Sequence, residues 1–359
     1  MQSKNNKTVV VAMSGGVDSS VAAFLLKQAG YNVIGLHMVD ANAEQEEIDG
    51  MMAKSICEKL GIEFVVENYS SQMQQVKDYF INEYASGRTP NPCVVCNREV
   101  KFKPFIDFMK KIGADYFATG HYAKIEHING EHLLRKAKDA SKDQTYFLNQ
   151  LSQEQLKHAL FPLGELTKPE VRKIAEENGL ATAHKKDSFD VCFMGSAKFK
   201  DFMRKNYPEK QGDIVDIKTK KIVGKHDGVS KFTLGQRKGL GIGGKSDGNG
   251  ESWYVVDKNM KKGILYVSQG EGEELLSRGL VTDGFNFMPR FGESGKVNCY
   301  AKTRYRQDDQ ECVVERVDGG VKVTFKIPQR AVTPGQYVVL YDNEGYMLGG
   351  GTIKDIIRR

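Results

Sequence analysis

The chain has 359 residues, with 52 lysines and arginines against 46 aspartates and glutamates, six cysteines and one tryptophan. That length predicts two or three domains, because single cores rarely grow past roughly 250 to 300 residues. A charged fraction of 27% beside 40% hydrophobic residues excludes a disordered chain. No apolar run approaches the roughly 20 residues of a membrane helix. The N-terminal apolar stretch is too short for a signal peptide, so a cytoplasmic protein without a membrane partner is expected. Six cysteines over this length do not form a disulfide framework; they read as reduced, and some as reactive. The net charge of +6 is uneven along the chain. Residues 1–150 carry 17 basic and 18 acidic side chains, residues 151–250 carry 19 and 13, and residues 251–359 carry 16 and 15. Within the middle, residues 185–238 hold 14 basic against 7 acidic side chains, which is either a solvated lysine-rich surface or a face for a polyanion.

In chain order, short apolar runs alternate with amphipathic stretches over the first 125 residues, the rhythm of βαβ units around a parallel sheet. VVVAM at 9–13 reads as a buried strand, followed by a glycine turn and a helix that Gly30 stops. Residues 32–39, 62–67 and 115–123 read as further strands, and 46–60 as a helix. A doubly wound parallel-sheet α/β domain is expected. Asn129-Gly130 signals a hairpin. Thr167, Pro169 and Glu170 place a capping box at the start of a helix that stops at Gly179. Helical character is expected to persist to about Tyr207. From Gly212 the alternation is β-like and broken by glycine, so two small mainly β domains are expected, with boundaries near 205 and 278.

The heptapeptide from Ser14 to Ser20, SGGVDSS, lies between a predicted strand and a predicted helix, where backbone amides and the positive helix end converge on an anion. It has neither the Gly-Lys-Ser/Thr of a Walker loop nor G-x-G-x-x-G. It resembles the PP-loop of the ATP pyrophosphatase superfamily, which implies splitting of ATP to AMP and pyrophosphate while a carbonyl oxygen is adenylated. Asp18 is then expected to help hold the accompanying Mg2+. The second substrate stays open: ammonia, an amino acid or a sulfur carrier.

Cys93 and Cys96 form a Cys-x-x-Cys after Pro90, Asn91 and Pro92, at the start of a helical spacing and beside Arg98, Lys101 and Lys103. Such surroundings favour a thiolate. A half zinc site is the rival, although no second ligand pair completes it. Cys192 lies in a second basic, glycine-ended stretch, whereas Cys57, Cys299 and Cys312 read as buried small hydrophobes.

The ordered blocks AMSGGVDSS, GRTPNPxxxCNxxxKF, ATGHYA, KDQTYFL, FPLGELTKPEVRKIAE, HKKDS, CFMG, TLGQRKGLGIGG, KTRYRQ and AVTPGQ closely resemble the bacterial tRNA-specific 2-thiouridylase family, nearly from end to end. The resemblance implies ATP-dependent replacement of the C2 oxygen of the wobble uridine of tRNAs for lysine, glutamate and glutamine by sulfur. It implies an ATP-binding catalytic domain at 1–204, a central tRNA-binding domain at 205–277 and a C-terminal β-barrel at 278–359. ATP is placed on Ala12, Met13, Ser14, Gly15, Gly16, Val17, Asp18 and Ser19, with Met38 and Gly120 at adenosine-contacting positions. Cys192 matches the persulfide carrier, loaded by a cysteine desulfurase or a sulfur-relay protein. Cys96 matches the nucleophile that resolves the persulfide and leaves a Cys96 to Cys192 disulfide. Asn91, Pro92 and Cys93 match the target-base loop, and His121, Lys142, Asp143, Gln144, Arg304, Tyr305 and Gln336 match tRNA-contacting positions. Many members carry aspartate where this chain has Cys93, which leaves proton transfer there open. Thiols at 93, 96 and 192 could instead hold an iron–sulfur cluster, a reading ranked below the dithiol. The alternative function is a PP-loop ligase that amidates or condenses a small molecule. Nothing in the sequence demands more than a monomer.

Overall fold

The structure, a computed structural model, describes residues 6–40, 46–186, 191–194, 199–242, 251–292 and 295–358. Strand β1 (Thr8–Ala12) is the centre of the first domain because Val9, Val10 and Val11 have no exposed surface, as suits a β-branched run covered on both faces. It leads into α1 (Val17–Gln28), β2 (Asn32–Val39), α2 (Glu46–Leu60), β3 (Glu63–Asn68) and α3 (Ser70–Ala85). A continuous helical run follows, made of α4 (Pro92–Val95), a wide π-helical turn at Cys96–Phe102 and α5 (Lys103–Ile112). After β4 (Tyr116–Ala118) come the hairpin strands β5 (Lys124–Ile128) and β6 (Glu131–Arg135), with Asn129 at φ 51° and Gly130 at φ 81° as a tight primed turn requires. Helix α6 (Gln153–His158), strand β7 (Ala159–Leu160), and helices α7 (Lys168–Glu177) and α8 (Phe199–Asn206) complete this part.

The sheet has the order β3-β2-β1-β4-β7, and its pairings are parallel. Val21 of α1, Ile56 of α2 and Val171 of α7 cover one face, while Phe105 and Ile106 of α5 cover the other, so the sheet is doubly wound. The strand order reverses direction at β1, which opens a crevice at its C-terminal end. Two expectations fail in detail. Strand β4 stops at Ala118 rather than running to 123: the Thr119 amide still donates to Leu160 O at 3.2 Å, and Gly120 then presses on the start of α1. Nor is the helix unbroken to Tyr207: Leu180 folds back to donate to the Ala175 carbonyl, residues 180–186 are not helical, and among the described residues a short turn stands at Cys192–Met194 before α8.

Beyond α8, β8 (Gly212–Asp216), β9 (Ile222–His226), β10 (Trp253–Asn259) and β11 (Ile264–Gln269) form a four-stranded sheet around Ile214, Phe232, Val255 and Leu265. Strands β12 (Leu276–Phe287), β13 (Lys296–Lys302), β14 (Gln310–Val317), β15 (Gly320–Arg330), β16 (Tyr337–Tyr341) and β17 (Met347–Ile357) close into a barrel. The barrel is fused to the first domain: Tyr337, Val339, Tyr341 and Met347 share one apolar cluster with Phe102, Phe117, Tyr146 and Leu148. The Tyr146 hydroxyl donates to the Tyr337 carbonyl at 2.9 Å.

The domains also meet at the 88–90 segment. Thr89 donates its amide to Pro334 O at 2.9 Å, and Gln336 Nε2 donates to Thr89 O at 2.9 Å and Pro90 O at 3.0 Å. The Thr89 and Thr233 hydroxyls lie 3.2 Å apart, and Arg304 Nη2 donates to Leu234 O, Ala331 O and Thr333 Oγ1 at 3.0–3.1 Å. Gly335 sits at φ +90°, where an added Cβ would stand 2.9 Å from both Arg88 Cβ and the Thr89 nitrogen. Gly335→Ala is therefore expected to cost about 1–3 kcal/mol in backbone strain, with the contact added to it. Gly319→Ala, at φ +74° with open space around it, should cost only about 1–2 kcal/mol. Urea unfolding of the two variants compares these costs; equal losses would mean that the junction yields without resistance.

Candidate active site: a phosphate loop beside a thiol-bearing turn

The crevice at the end of β1 holds the glycine turn. Helix α1 starts at Gly16 without a side-chain cap, so its first amides point into the crevice unclaimed by the helix. Ser19 and Ser20 turn their hydroxyls back to Gly16 O at 3.1 and 2.8 Å, while the Ser14 amide donates to Ser19 Oγ at 3.3 Å. The loop is thus braced from within and open toward an anion. Two glycines are obligatory here. Gly15 lies at φ +67° with Asp49 O 2.4 Å from where a Cβ would be, and a Cβ on Gly120 would stand 2.8–3.0 Å from Asp18 and Ser19. His37, 5% exposed, hydrogen-bonds Met13 O at 2.7 Å through Nδ1 and fixes the strand end from behind.

Two cations that sequence reasoning did not single out flank the loop. Lys168, the first residue of α7 and 7% exposed, donates to both carboxylate oxygens of Asp18 at 2.8 Å, and Tyr122 OH donates to Asp18 Oδ1 at 2.8 Å. Asp18, expected as a magnesium ligand, is therefore already paired with a cation. Lys185 donates to Gly15 O at 2.9 Å and to Asp49 Oδ1 at 2.6 Å. Both lysines fall inside motifs visible in the sequence, but one looked like a helix start and the other like part of a charge run. That run, 185–238, is not one basic face. Lys185 belongs to the phosphate loop, Lys231 is buried beside Asp227 and Lys225 pairs with Asp213, while Arg237 and Lys238 stay exposed.

Cys93 and Cys96 stand on successive turns of the helical run that begins at Pro92, with Cys93 exposed and Cys96 6% exposed. Cys96 packs in an apolar cluster of Tyr69, Val76, Val100, Met38 and Phe193. The basic setting expected around it is partly neutralised, since Arg98 reaches Glu99 at 2.7 Å and Lys103 reaches it at 4.0 Å. Cys192 opens the Cys192–Met194 turn; its side chain lies outside the described residues, but its neighbour Phe193 packs against the Cys96 cluster and edge-on to Phe80. Among the described residues no three His, Cys, Asp or Glu side chains group closely enough to hold a metal ion. Burial pushes the Cys57 thiol up to about 12, and Cys299 and Cys312 face each other across β13 and β14 inside the barrel, 3.7 Å apart.

Asn91 and Pro92, both buried, stand at the head of the thiol-bearing run. His121 lies between Phe102 and Phe161, hydrogen-bonded to Thr119 Oγ1 at 2.7 Å. Burial, helped by Lys101, pushes its pKa down to about 3, so the ring is neutral. Gln144 brackets Tyr122 through two hydrogen bonds, Asp143 accepts from Ala137 N and Thr145 Oγ1, and the Tyr305 ring packs tilted against Phe147 with centroids 4.3 Å apart. Lys142 is half-buried at the same turn. Arg304 and Gln336 spend their donors on the domain junction. Of the expected tRNA positions, Gln144 is tied to Tyr122, which touches Asp18 of the phosphate loop, whereas Arg304 and Gln336 brace the domain junction.

Family models match the chain in three consecutive stretches: a tRNA methyl transferase HUP domain at 7–196, a tRNA methyl transferase PRC-barrel domain at 200–269 and an aminomethyltransferase beta-barrel domain at 277–353. The tRNA-specific 2-thiouridylase MnmA of Alkaliphilus oremlandii is 48% identical over 360 residues, covering 98% of each chain. Its counterpart in Pectobacterium carotovorum subsp. carotovorum is 46% identical over 365 residues, covering 99% of each. A solved tRNA thiolase, NcsA from Methanococcus maripaludis, aligns loosely, with a TM-score of 0.37 and 23% identity over 57% of this chain and 68% of that one. Matched along nearly its whole length, the chain belongs to the tRNA-specific 2-thiouridylase MnmA family.

Proposed function

We propose that this chain uses ATP to replace the C2 oxygen of a tRNA wobble uridine with sulfur carried as a persulfide on Cys192. One adjacency carries the reading: Met38, at the end of β2 beside the phosphate loop, packs into the apolar cluster around Cys96. A base held at the 91–93 turn would then meet an activated phosphate on one side and a thiol on the other. The phosphates rest on the first amides of α1, with Lys168 and Lys185 as flanking cations. A magnesium ion accompanying the triphosphate would screen phosphate charge; to be held by Asp18 it would have to take an oxygen that now accepts from Lys168 or Tyr122. The uridine C2 oxygen attacks the α-phosphate and pyrophosphate leaves, which turns a poor leaving oxygen into AMP. Sulfur then adds to C2 and AMP departs. The Cys96 thiolate attacks the inner sulfur of the persulfide and frees the outer one, leaving a Cys96–Cys192 disulfide. The base must leave its stack to reach this chemistry, and a neutral His121 among phenylalanines offers it a polar edge without a charge. A cysteine desulfurase or a relay protein supplies the persulfide.

With magnesium, ATP, a persulfide donor and unmodified tRNA, the wild type should yield 2-thiouridine by mass spectrometry of digested tRNA. Cys192→Ser should yield none while still releasing pyrophosphate and leaving AMP on the tRNA; undiminished thiolation by that variant would overturn the persulfide assignment. Lys168→Met, which removes a preorganised cation from the loop, should slow tRNA-dependent pyrophosphate release on the order of 100-fold. Rates within a factor of two of wild type would show that Lys168 serves only the folded state. The depressed pKa of His121 means that the unfolded chain binds more protons between pH 6.5 and about 3. Its contribution to stability is therefore complete above pH 6.5 and is lost as the pH falls. His121→Asn should flatten the acid loss by up to roughly 1.4 kcal/mol per pH unit, measured by unfolding at pH 6.5, 5.5 and 4.5.

A further inference from the structure

We propose that Cys93 resets the enzyme from within, by attacking the Cys96–Cys192 disulfide and passing it to the surface as a Cys93–Cys96 disulfide. The proposal rests on the persulfide reading above and goes beyond it. A disulfide at Cys96 would form in a place an external reductant reaches poorly, since that residue is 6% exposed and packs among Tyr69, Val76, Val100, Met73 and Phe193. Cys93 is exposed and stands three residues earlier on the same helical run, hence on the same face. Helical neighbours at this spacing need only a small approach to reach disulfide geometry. The wide π-helical turn begins at Cys96 itself, so the regular hydrogen-bond ladder is already interrupted where that side chain must swing. Just upstream, Gln336 and Pro334 hold the Thr89 and Pro90 backbone, so the first turn carrying Cys93 has a fixed base.

The exchange balances. The Cys93 thiolate forms a bond to Cys96 Sγ, the Cys96–Cys192 bond breaks, and its electron pair leaves on Cys192, which takes up a proton and is ready for another persulfide. No net oxidation occurs in this step. The two electrons come afterwards from an external dithiol, which reduces the surface Cys93–Cys96 disulfide and departs as a disulfide itself. The chain thereby separates the buried bond made by catalysis from the exposed bond presented to the reductant.

The test uses full-length protein loaded with persulfide, freed of reductant, and allowed one turnover with ATP, magnesium and unmodified tRNA. It is then quenched in acid, alkylated with N-ethylmaleimide and cut with trypsin. Cleavage after Arg88 and Arg98 leaves Cys93 and Cys96 in one peptide, 89–98. In the wild type this peptide should be unalkylated and lighter by two hydrogens, with Cys192 alkylated. In Cys93→Ser it should instead be cross-linked to the Cys192 peptide. Repeated turnover of that variant with thioredoxin as reductant should fall by about tenfold and recover with excess dithiothreitol. A wild-type cross-link between Cys96 and Cys192 with Cys93 alkylated would overturn the relay alone. Thiouridine formed with no disulfide in either protein would remove the persulfide-resolution step, and the relay with it.

Discussion

The Thr89-Pro90 backbone is the point on which the arrangement turns. It accepts two hydrogen bonds from Gln336 and gives one to Pro334, so a loop of the first domain is held as though it were part of the barrel rim. Immediately after it the chain enters the helical run bearing Asn91, Cys93 and Cys96. Backbone-directed bonds position without depending on the side chains of the loop, which leaves residues 91–93 free to serve chemistry. Arg304 extends the junction to the central domain through Leu234, next to the exposed Arg237 and Lys238. A polyanion gripped by that loop and a base held at residue 91 would therefore bear on one connected frame.

A second constraint is electrostatic. The phosphate crevice combines uncapped helix amides with two lysines, each of which is already paired with a carboxylate, Lys168 with Asp18 and Lys185 with Asp49. Pairing lets these cations sit in partly buried positions without a large desolvation cost. It also fixes both amines beside the glycine turn, so a phosphate bound there as proposed would meet cations already in place.

Much of this was legible in the sequence, for local reasons. The valine run of β1, the SGGVDSS turn, the Asn129-Gly130 hairpin and the Thr167–Glu170 capping box each depend on neighbours a few residues away, and each forms as expected. The β character beyond Gly212 also followed from alternation broken by glycine, whereas closure of the last six strands into a barrel did not follow from that pattern. What stayed hidden depends on tertiary distance. Lys168 reads as a helix start, yet its amine crosses 150 positions to Asp18. Likewise Gln336 and Arg304 stand at positions matched to substrate contact, and only the folded chain reveals that they also serve its own backbone. The lysine-rich middle misled in the other direction, because a count of charges does not see that Lys231 is buried beside Asp227.

The shared core between the first domain and the barrel has a consequence for how the protein is made. Tyr146, Leu148 and Phe102 are covered by Tyr337, Val339, Tyr341 and Met347, which are synthesised long after them. Until they emerge, the nascent α/β domain carries an uncovered apolar face although its sheet can already be complete. Domains usually fold as units from the N-terminal end during synthesis; here the final burial step belongs to the C-terminal strands. A chain that stops before β16 would thus leave Phe102, Phe117, Tyr146 and Leu148 uncovered, a surface suited to aggregation.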